Sequence, residues 1–132
     1  GMVWLAPLAF VGFMLVGGGL AVAGIALPLM EAGILASVVI LGLLIAGAVR
    51  LPLLAGGAVA AFFALFHGNA HGLEAPPTAS LATYAIGFVL ATAVLHAAGI
   101  AAGLQGRKLQ LPVLARVAGA TIALGGVGLC VT

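Results

Sequence analysis

Charged residues are nearly absent from this chain: four Lys and Arg and two Asp and Glu make up 5% of its 132 residues. Soluble domains carry about a quarter charged residues, so a water-exposed globular surface is excluded. What the chain has instead is apolar sequence, with 65% hydrophobic residues and a mean hydropathy of +1.43. Stretches near the roughly 20 apolar residues that cross about 30 Å of hydrocarbon recur along it. A lipid bilayer is therefore its expected surroundings.

Cysteine and basic residues are equally scarce. Cys130 is the single cysteine, which excludes an internal disulfide and a cysteine-based metal cage. The three methionines are scattered and do not predict a thioether array for copper(I). The net charge of +2 rests on four basic residues that form no patch for nucleic acid, namely Arg50, Arg107, Lys108 and Arg116.

Proline, glycine and charged residues divide the apolar sequence into about five spans. We predict an all-α, polytopic transmembrane helical bundle, folded as a single domain over residues 1–132. The predicted spans are approximately 3–25, 31–49, 52–71, 81–104 and 112–131. The 21 glycines, many of them inside the spans, let helices approach closely through small faces, which also permits a homo-oligomer without requiring one.

The few charges predict an orientation. If successive connections lie on alternate sides of the membrane, all four basic residues fall on one side. The positive-inside rule makes that side cytoplasmic. We therefore expect the chain to start inside and end outside. Glu31, His71 and Glu74 then lie together at the outer face, with His67 about one turn deeper.

Two histidines and a carboxylate lie within the short segment His67-Gly-Asn-Ala-His71-Gly-Leu-Glu74. Ionisable side chains inside a membrane are costly unless they serve a site or a pathway. Residues four apart share one helix face, so His67 and His71 can offer two ring nitrogens to one metal ion. Glu74 is a candidate third ligand, or an acceptor that fixes an imidazole tautomer. The alternative is two interfacial histidines that hydrogen-bond to carbonyl groups.

His96 lies about 15 residues into the fourth span, where a polar side chain needs a partner. At 1.5 Å per residue, we expect it on the order of 10 to 15 Å below His71, nearer the inner third of the membrane. One interpretation is a further metal station along a translocation path. The other is a structural hydrogen bond to Thr92 or to a backbone carbonyl.

Three more polar residues are candidates for supporting roles. Glu31, at the head of the second span, can concentrate cations at the mouth of the path, or merely interact favourably with its helix dipole. Asn69 and Tyr84 are candidates for groups that hydrogen-bond to the ligands, with a plain interfacial role as the alternative. Imidazole with carboxylate suits nickel, cobalt or zinc. Transport also needs release, which favours few ligands at each station.

Several of these segments carry a family resemblance. The histidine segment reads His67-Gly-x-x-His71-Gly-x-Glu74-x-Pro76, and it is followed by Tyr84, Gly87-Phe88 and Leu95-His96-x-x-Gly99. Earlier segments are Trp4-Leu-Ala-Pro7, Leu27-Pro28, Glu31-Ala-Gly33 and Arg50-Leu-Pro52. In all of them the chain resembles the HupE/UreJ family of membrane proteins, associated with nickel supply to hydrogenase and urease. Family members usually carry a preceding helix with a His-Pro-x-x-Gly-x-Asp-His motif, so we expect this chain to be truncated at its N-terminus.

The resemblance implies a nickel or cobalt permease of the bacterial inner membrane. In it Glu31 and Glu74 attract the ion, His67 and His71 bind it, and His96 receives it deeper. Ni²⁺ is then the transported ion, with Co²⁺ or Zn²⁺ as alternatives, and neither a catalytic cofactor nor enzyme activity is expected. The implied partners are the metal ion, the lipid bilayer and the maturation pathway of hydrogenase or urease, with no nucleic acid.

Two other classes of function stay open on the residues alone. An intramembrane zinc hydrolase could use three histidines and a carboxylate to activate water, but the His-Glu-x-x-His and Gly-x-Ser-x-Gly patterns are absent. A structural or accessory membrane subunit would use the histidines only for hydrogen bonds. It would lose stability, but no metal-dependent property, when they are replaced.

Overall fold

The computed structural model describes residues 4–78 and 80–131. This part of the chain forms five α-helices and no β-strand, which confirms the predicted all-α class. The helices are α1 (Leu5–Val22), α2 (Met30–Ala46), α3 (Leu53–Leu73), α4 (Leu81–Lys108) and α5 (Pro112–Cys130). All but α2, which has 17 residues, are long and apolar enough to cross a membrane. The chain is thus a multi-pass membrane protein.

The helix ends differ from the predicted spans by a few residues. Residue 3, the predicted start of the first span, lies outside the described part of the chain. Helices α1, α2 and α4 are each followed by a left-handed residue, at Gly24 (φ 82°), Ala48 (φ 51°) and Gln110 (φ 54°). The next amide then bonds to a carbonyl five residues back, as from Ile25 to Leu20. This motif satisfies carbonyls at the helix end. It closes α1 and α2 three residues before the predicted ends, whereas α4 continues four residues further.

The closest helix pair is α1 and α3, which meet through glycine faces. A Cβ on Gly68 would collide with the backbone of Met14, and one on Gly17 with the backbone of Leu65. Small residues at such contacts let membrane helices approach closely enough for extensive van der Waals packing. The room that Gly68 leaves beside His67 is therefore filled by α1.

A second close pair joins α2 and α5. A Cβ on Gly42 would lie 2.8 Å from the carbonyl oxygen of Gly119, and one on Gly119 would lie 2.5 Å from the amide nitrogen of Ala46. Arg116 adds a polar contact at the end of this interface, since its Nε donates to the Ala46 carbonyl at 2.9 Å. The guanidinium thus supplies a partner to a carbonyl in the last turn of α2.

Helix α4 packs only lightly against α1 and α5. Its 28 residues extend about 42 Å at 1.5 Å per residue, and apolar side chains such as Leu90, Val94 and Leu95 are exposed. Exposed apolar surface of this kind suits contact with lipid. The light packing leaves space between α4 and the α1–α3 pair, and the three histidines of the chain line that space.

Candidate functional site

A cleft of about 440 Å³ opens between α1, α2, α3 and α4. All three histidines of the chain line it, together with Glu74, one of its two acidic residues. The remaining wall is mostly apolar and consists of Phe10, Met14, Ile34, Ala70, Phe88, Thr92 and Leu95. The four residues predicted as metal ligands therefore share one cleft, although their role as ligands stays a prediction.

His67 lies half-buried on the face of α3 that meets α1 and α2. Its Nε2 atom is 3.3 Å from the Oγ atom of Ser37 on α2. Ser37 is 1% exposed, and its hydroxyl donates to the Ile34 carbonyl at 2.6 Å. The imidazole thus contacts a buried hydroxyl of a neighbouring helix, and the residue also lines the cleft.

His96 bonds within its own helix. Its Nδ1 atom is 2.9 Å from the carbonyl oxygen of Thr92. Because a carbonyl oxygen only accepts, Nδ1 carries the proton and Nε2 keeps the lone pair when the ring is neutral. The predicted hydrogen bond to the Thr92 carbonyl is present, and it leaves one nitrogen of His96 able to bind a metal ion.

Phe10 of α1 contacts both of these imidazoles. The distance between ring centroids is 5.9 Å to His67 and 5.1 Å to His96. The two imidazole centroids are therefore separated by at most the sum of these distances, about 11 Å. His96 lines the same cleft as His71, and its expected place at a deeper station stays a prediction.

His71 and Glu74 form the exposed side of the cleft. The Nδ1 atom of His71 is 4.0 Å from Oε2 of Glu74, with 47% and 72% of the side chains exposed. The imidazole of His71 also packs on Phe88 of α4, with ring centroids 4.6 Å apart. This geometry suits a carboxylate that attracts a cation and orients the imidazole from beside it.

The cleft does not hold a closed metal cage. Across residues 4–78 and 80–131, no three His, Cys, Asp or Glu side chains are close enough together to hold one ion. Two pairs of these side chains lie near each other. His71 lies beside Glu74, and His67 and His96 both contact Phe10. What the described residues offer is imidazole and carboxylate groups, singly and in pairs, in a single cleft.

Comparison with known proteins identifies the chain. The family model described as HupE / UreJ protein matches residues 1–129. The chain belongs to the HupE/UreJ family. A curated relative, Protein HupE of Rhizobium leguminosarum bv. viciae, is 45% identical over 130 residues, which cover 98% of this chain and 68% of the relative. No solved structure matches the chain significantly.

The three supporting residues of this HupE/UreJ chain are spread over different surroundings. Glu31 is exposed in the first turn of α2, about one turn before Ile34, which lines the cleft. Tyr84 lines a neighbouring cleft of about 240 Å³ together with His71. Both positions are compatible with the predicted roles, which stay predictions.

Asn69 has a different role from the one expected. It is fully buried, and its Oδ1 accepts from the Leu27 amide at 2.9 Å. Its Nδ2 donates to the carbonyls of Gly17 at 3.1 Å and Ile25 at 2.9 Å. The amide side chain therefore joins α3 to the end of α1 and to the following connection, rather than supporting a histidine.

Sequence reasoning missed Ser37 and Phe10, which contact His67 of this HupE/UreJ chain from α2 and α1. Ser37 had a usable signal, because it is one of two serines in the chain and lies inside an apolar span. A buried hydroxyl there needs a partner. Phe10 had none, since one aromatic ring in an apolar helix resembles any lipid-facing or core residue.

Proposed function

We propose that this chain moves a divalent transition metal ion, nickel before cobalt or zinc, across the bacterial inner membrane as a secondary permease without enzyme activity. The observation that carries the proposal is one cleft, lined by all three histidines and by Glu74, in an otherwise apolar helical bundle. Imidazole and carboxylate suit such ions. The family is associated with nickel supply to hydrogenase and urease. This association supports nickel as the transported ion, and the maturation pathway of these enzymes is the proposed recipient.

The exposed pair of His71 and Glu74 captures the ion in this proposal. Glu31, about one turn from the cleft wall, adds negative charge at the same end. The ion then passes to the half-buried imidazoles of His67 and His96, both of which contact Phe10. Few ligands at each position bind weakly enough to allow release, as conduction requires.

The test is a calorimetric titration of Ni²⁺, Co²⁺ and Zn²⁺ into the detergent-purified chain. All proteins carry Cys130→Ser, because the exposed thiol of Cys130 would itself bind these ions. We expect saturable nickel binding that is lost in the double variant His67→Ala/His71→Ala. Reconstituted vesicles loaded with a nickel-sensitive dye then report whether bound ions cross.

Gln105→Ala, an exposed amide on α4, serves as the matched control and is expected to bind and transport as the parent does. Equal nickel uptake by the parent and by the double variant would contradict the proposal. Stability loss in the double variant, with no metal binding in the parent, would instead favour a structural subunit. Metal-dependent turnover of a lipid or peptide without uptake would favour a hydrolase.

A further inference from the structure

The buried hydroxyl of Ser37 determines which nitrogen of His67 carries a proton. Ser37 has one hydroxyl proton, and its Oγ is 2.6 Å from the carbonyl oxygen of Ile34. Two oxygens approach this closely only with a proton between them, and a carbonyl oxygen cannot supply it. The hydroxyl proton is thus donated to the carbonyl oxygen of Ile34. Toward Nε2 of His67, at 3.3 Å, Ser37 can only accept.

We propose that Ser37 is a positioning residue that holds neutral His67 in the Nε2–H tautomer, so that a metal ion in the cleft binds at Nδ1. A neutral imidazole has one N–H, and the other nitrogen keeps the lone pair. A hydrogen bond at one ring nitrogen commonly fixes the nitrogen that binds metal. The tautomer stands on the contacts alone, whereas binding of the ion at Nδ1 rests on the proposed function.

His96 provides the opposite arrangement in the same cleft. Its Nδ1 donates to the Thr92 carbonyl, so its free lone pair is at Nε2. The two imidazoles that contact Phe10 therefore present different nitrogens. The burial of Ser37, at 1% exposure, keeps water from replacing its hydroxyl as the partner of His67.

The first measurement is ¹⁵N NMR of the histidine side chains in the unsubstituted chain in detergent, at a pH where the imidazoles are neutral. Residue assignments come from His67→Ala and His96→Ala. We expect the Nε2–H tautomer to dominate at His67 and the Nδ1–H tautomer at His96. A dominant Nδ1–H tautomer at His67 would overturn the proposal without any need for a Ser37 variant.

The second measurement compares Ser37→Ala with Thr121→Ala by the same NMR experiment and by nickel calorimetry in the Cys130→Ser background. Thr121 is the matched control, because its hydroxyl bonds to the Val117 carbonyl of its own helix at 3.0 Å and is exposed. We expect Ser37→Ala to give a tautomer mixture at His67 and to weaken nickel binding about 10-fold, as loss of such a partner commonly does. Ser37→Thr, which keeps the hydroxyl, is expected to restore the tautomer, and Thr121→Ala to change neither property.

The outcomes separate this proposal from the proposed function. A tautomer shift in Ser37→Ala, in a chain that binds no nickel, would support the positioning role and contradict metal binding. Nickel binding that is lost in His67→Ala but unchanged in Ser37→Ala would overturn the positioning role and leave the permease proposal intact.

Discussion

Two polar residues only two positions apart in α3 serve different purposes. Asn69 is fully buried and is bonded on both ends of its amide to backbone groups of α1 and the connection that follows. His67 instead borders the cleft and has one side-chain partner, Ser37. A buried amide needs several partners at once, which makes Asn69 suited to joining segments. The imidazole keeps a nitrogen for a ligand.

Replacing Asn69 should therefore affect folding rather than metal recognition. We expect Asn69→Ala to lower the free energy of unfolding by about 2–4 kcal/mol, because it leaves three backbone groups without their partner. Reversible unfolding in mixed detergent would measure this, with the exposed Gln105→Ala as control. Nickel affinity of the folded fraction should stay unchanged. A loss of affinity at unchanged stability would instead assign Asn69 to the metal site.

His96 should matter for passage of the ion more than for its capture. In the proposed path it receives the ion after His67, and it is half-buried, whereas the side chains of His71 and Glu74 are exposed. We expect His96→Ala to reduce nickel uptake into vesicles at least several-fold while saturable binding by calorimetry persists. If His96→Ala abolished binding as completely as His67→Ala/His71→Ala, His96 would belong to the capture site.

At the level of helices, the site depends on the glycine-mediated contact of α1 with α3, on the contact of α2 with α3, and on one lightly packed helix. The α1–α3 contact brings Phe10 to the histidine face of α3, and the α2–α3 contact brings Ser37 there. Helix α4 carries His96 but packs only lightly. Light packing keeps the cleft open between α4 and the rest of the bundle.

The close approach of α1 and α3 predicts opposite effects for two substitutions in one helix. At Gly68 a Cβ would collide with the backbone of Met14, whereas at Gly57 it would meet open space. We expect Gly68→Ala to destabilise the chain by about 1–3 kcal/mol or more, since backbone cannot easily yield. Gly57→Ala should be neutral or slightly stabilising, because alanine favours helix. Unfolding in mixed detergent compares them, and equal stabilities would contradict this packing.

The whole molecule is an apolar bundle with charge at its edges. Arg116 contacts the end of α2, close in sequence to Arg50, whereas His71 and Glu74 lie at the end of α3. This arrangement agrees with basic residues on one side of the bundle and the exposed part of the cleft on the other. The positive-inside rule then predicts a cytoplasmic start and an external end.

The single cysteine offers a direct check of that orientation. Cys130 is exposed at the last residue of α5. We expect a membrane-impermeant maleimide to label it on intact spheroplasts. Lys108→Cys in a Cys130→Ser background should be labelled only after permeabilisation. The reverse pattern would show that the chain inserts with the opposite orientation, which would place the mouth of the cleft on the cytoplasmic side.

Sequence alone determined the features that depend on composition and local spacing. Few charges and long apolar stretches are enough to predict a helical membrane bundle, and the spacing of His67 and His71 is enough to predict a shared helix face. The helix ends were less predictable, because Ala48 and Gln110 adopt the left-handed conformation that glycine usually takes. Local sequence gives little warning of such a choice.

Tertiary packing decided what surrounds each polar group. The partners of Asn69 are up to 52 residues away, and Ser37 is 30 residues from His67, so no local pattern relates them. Likewise His96 lines the cleft of His67 and His71 because α4 lies beside α1. Residue chemistry and spacing follow directly from the sequence. Which side chain holds which proton depends on contacts that exist only once the helices pack.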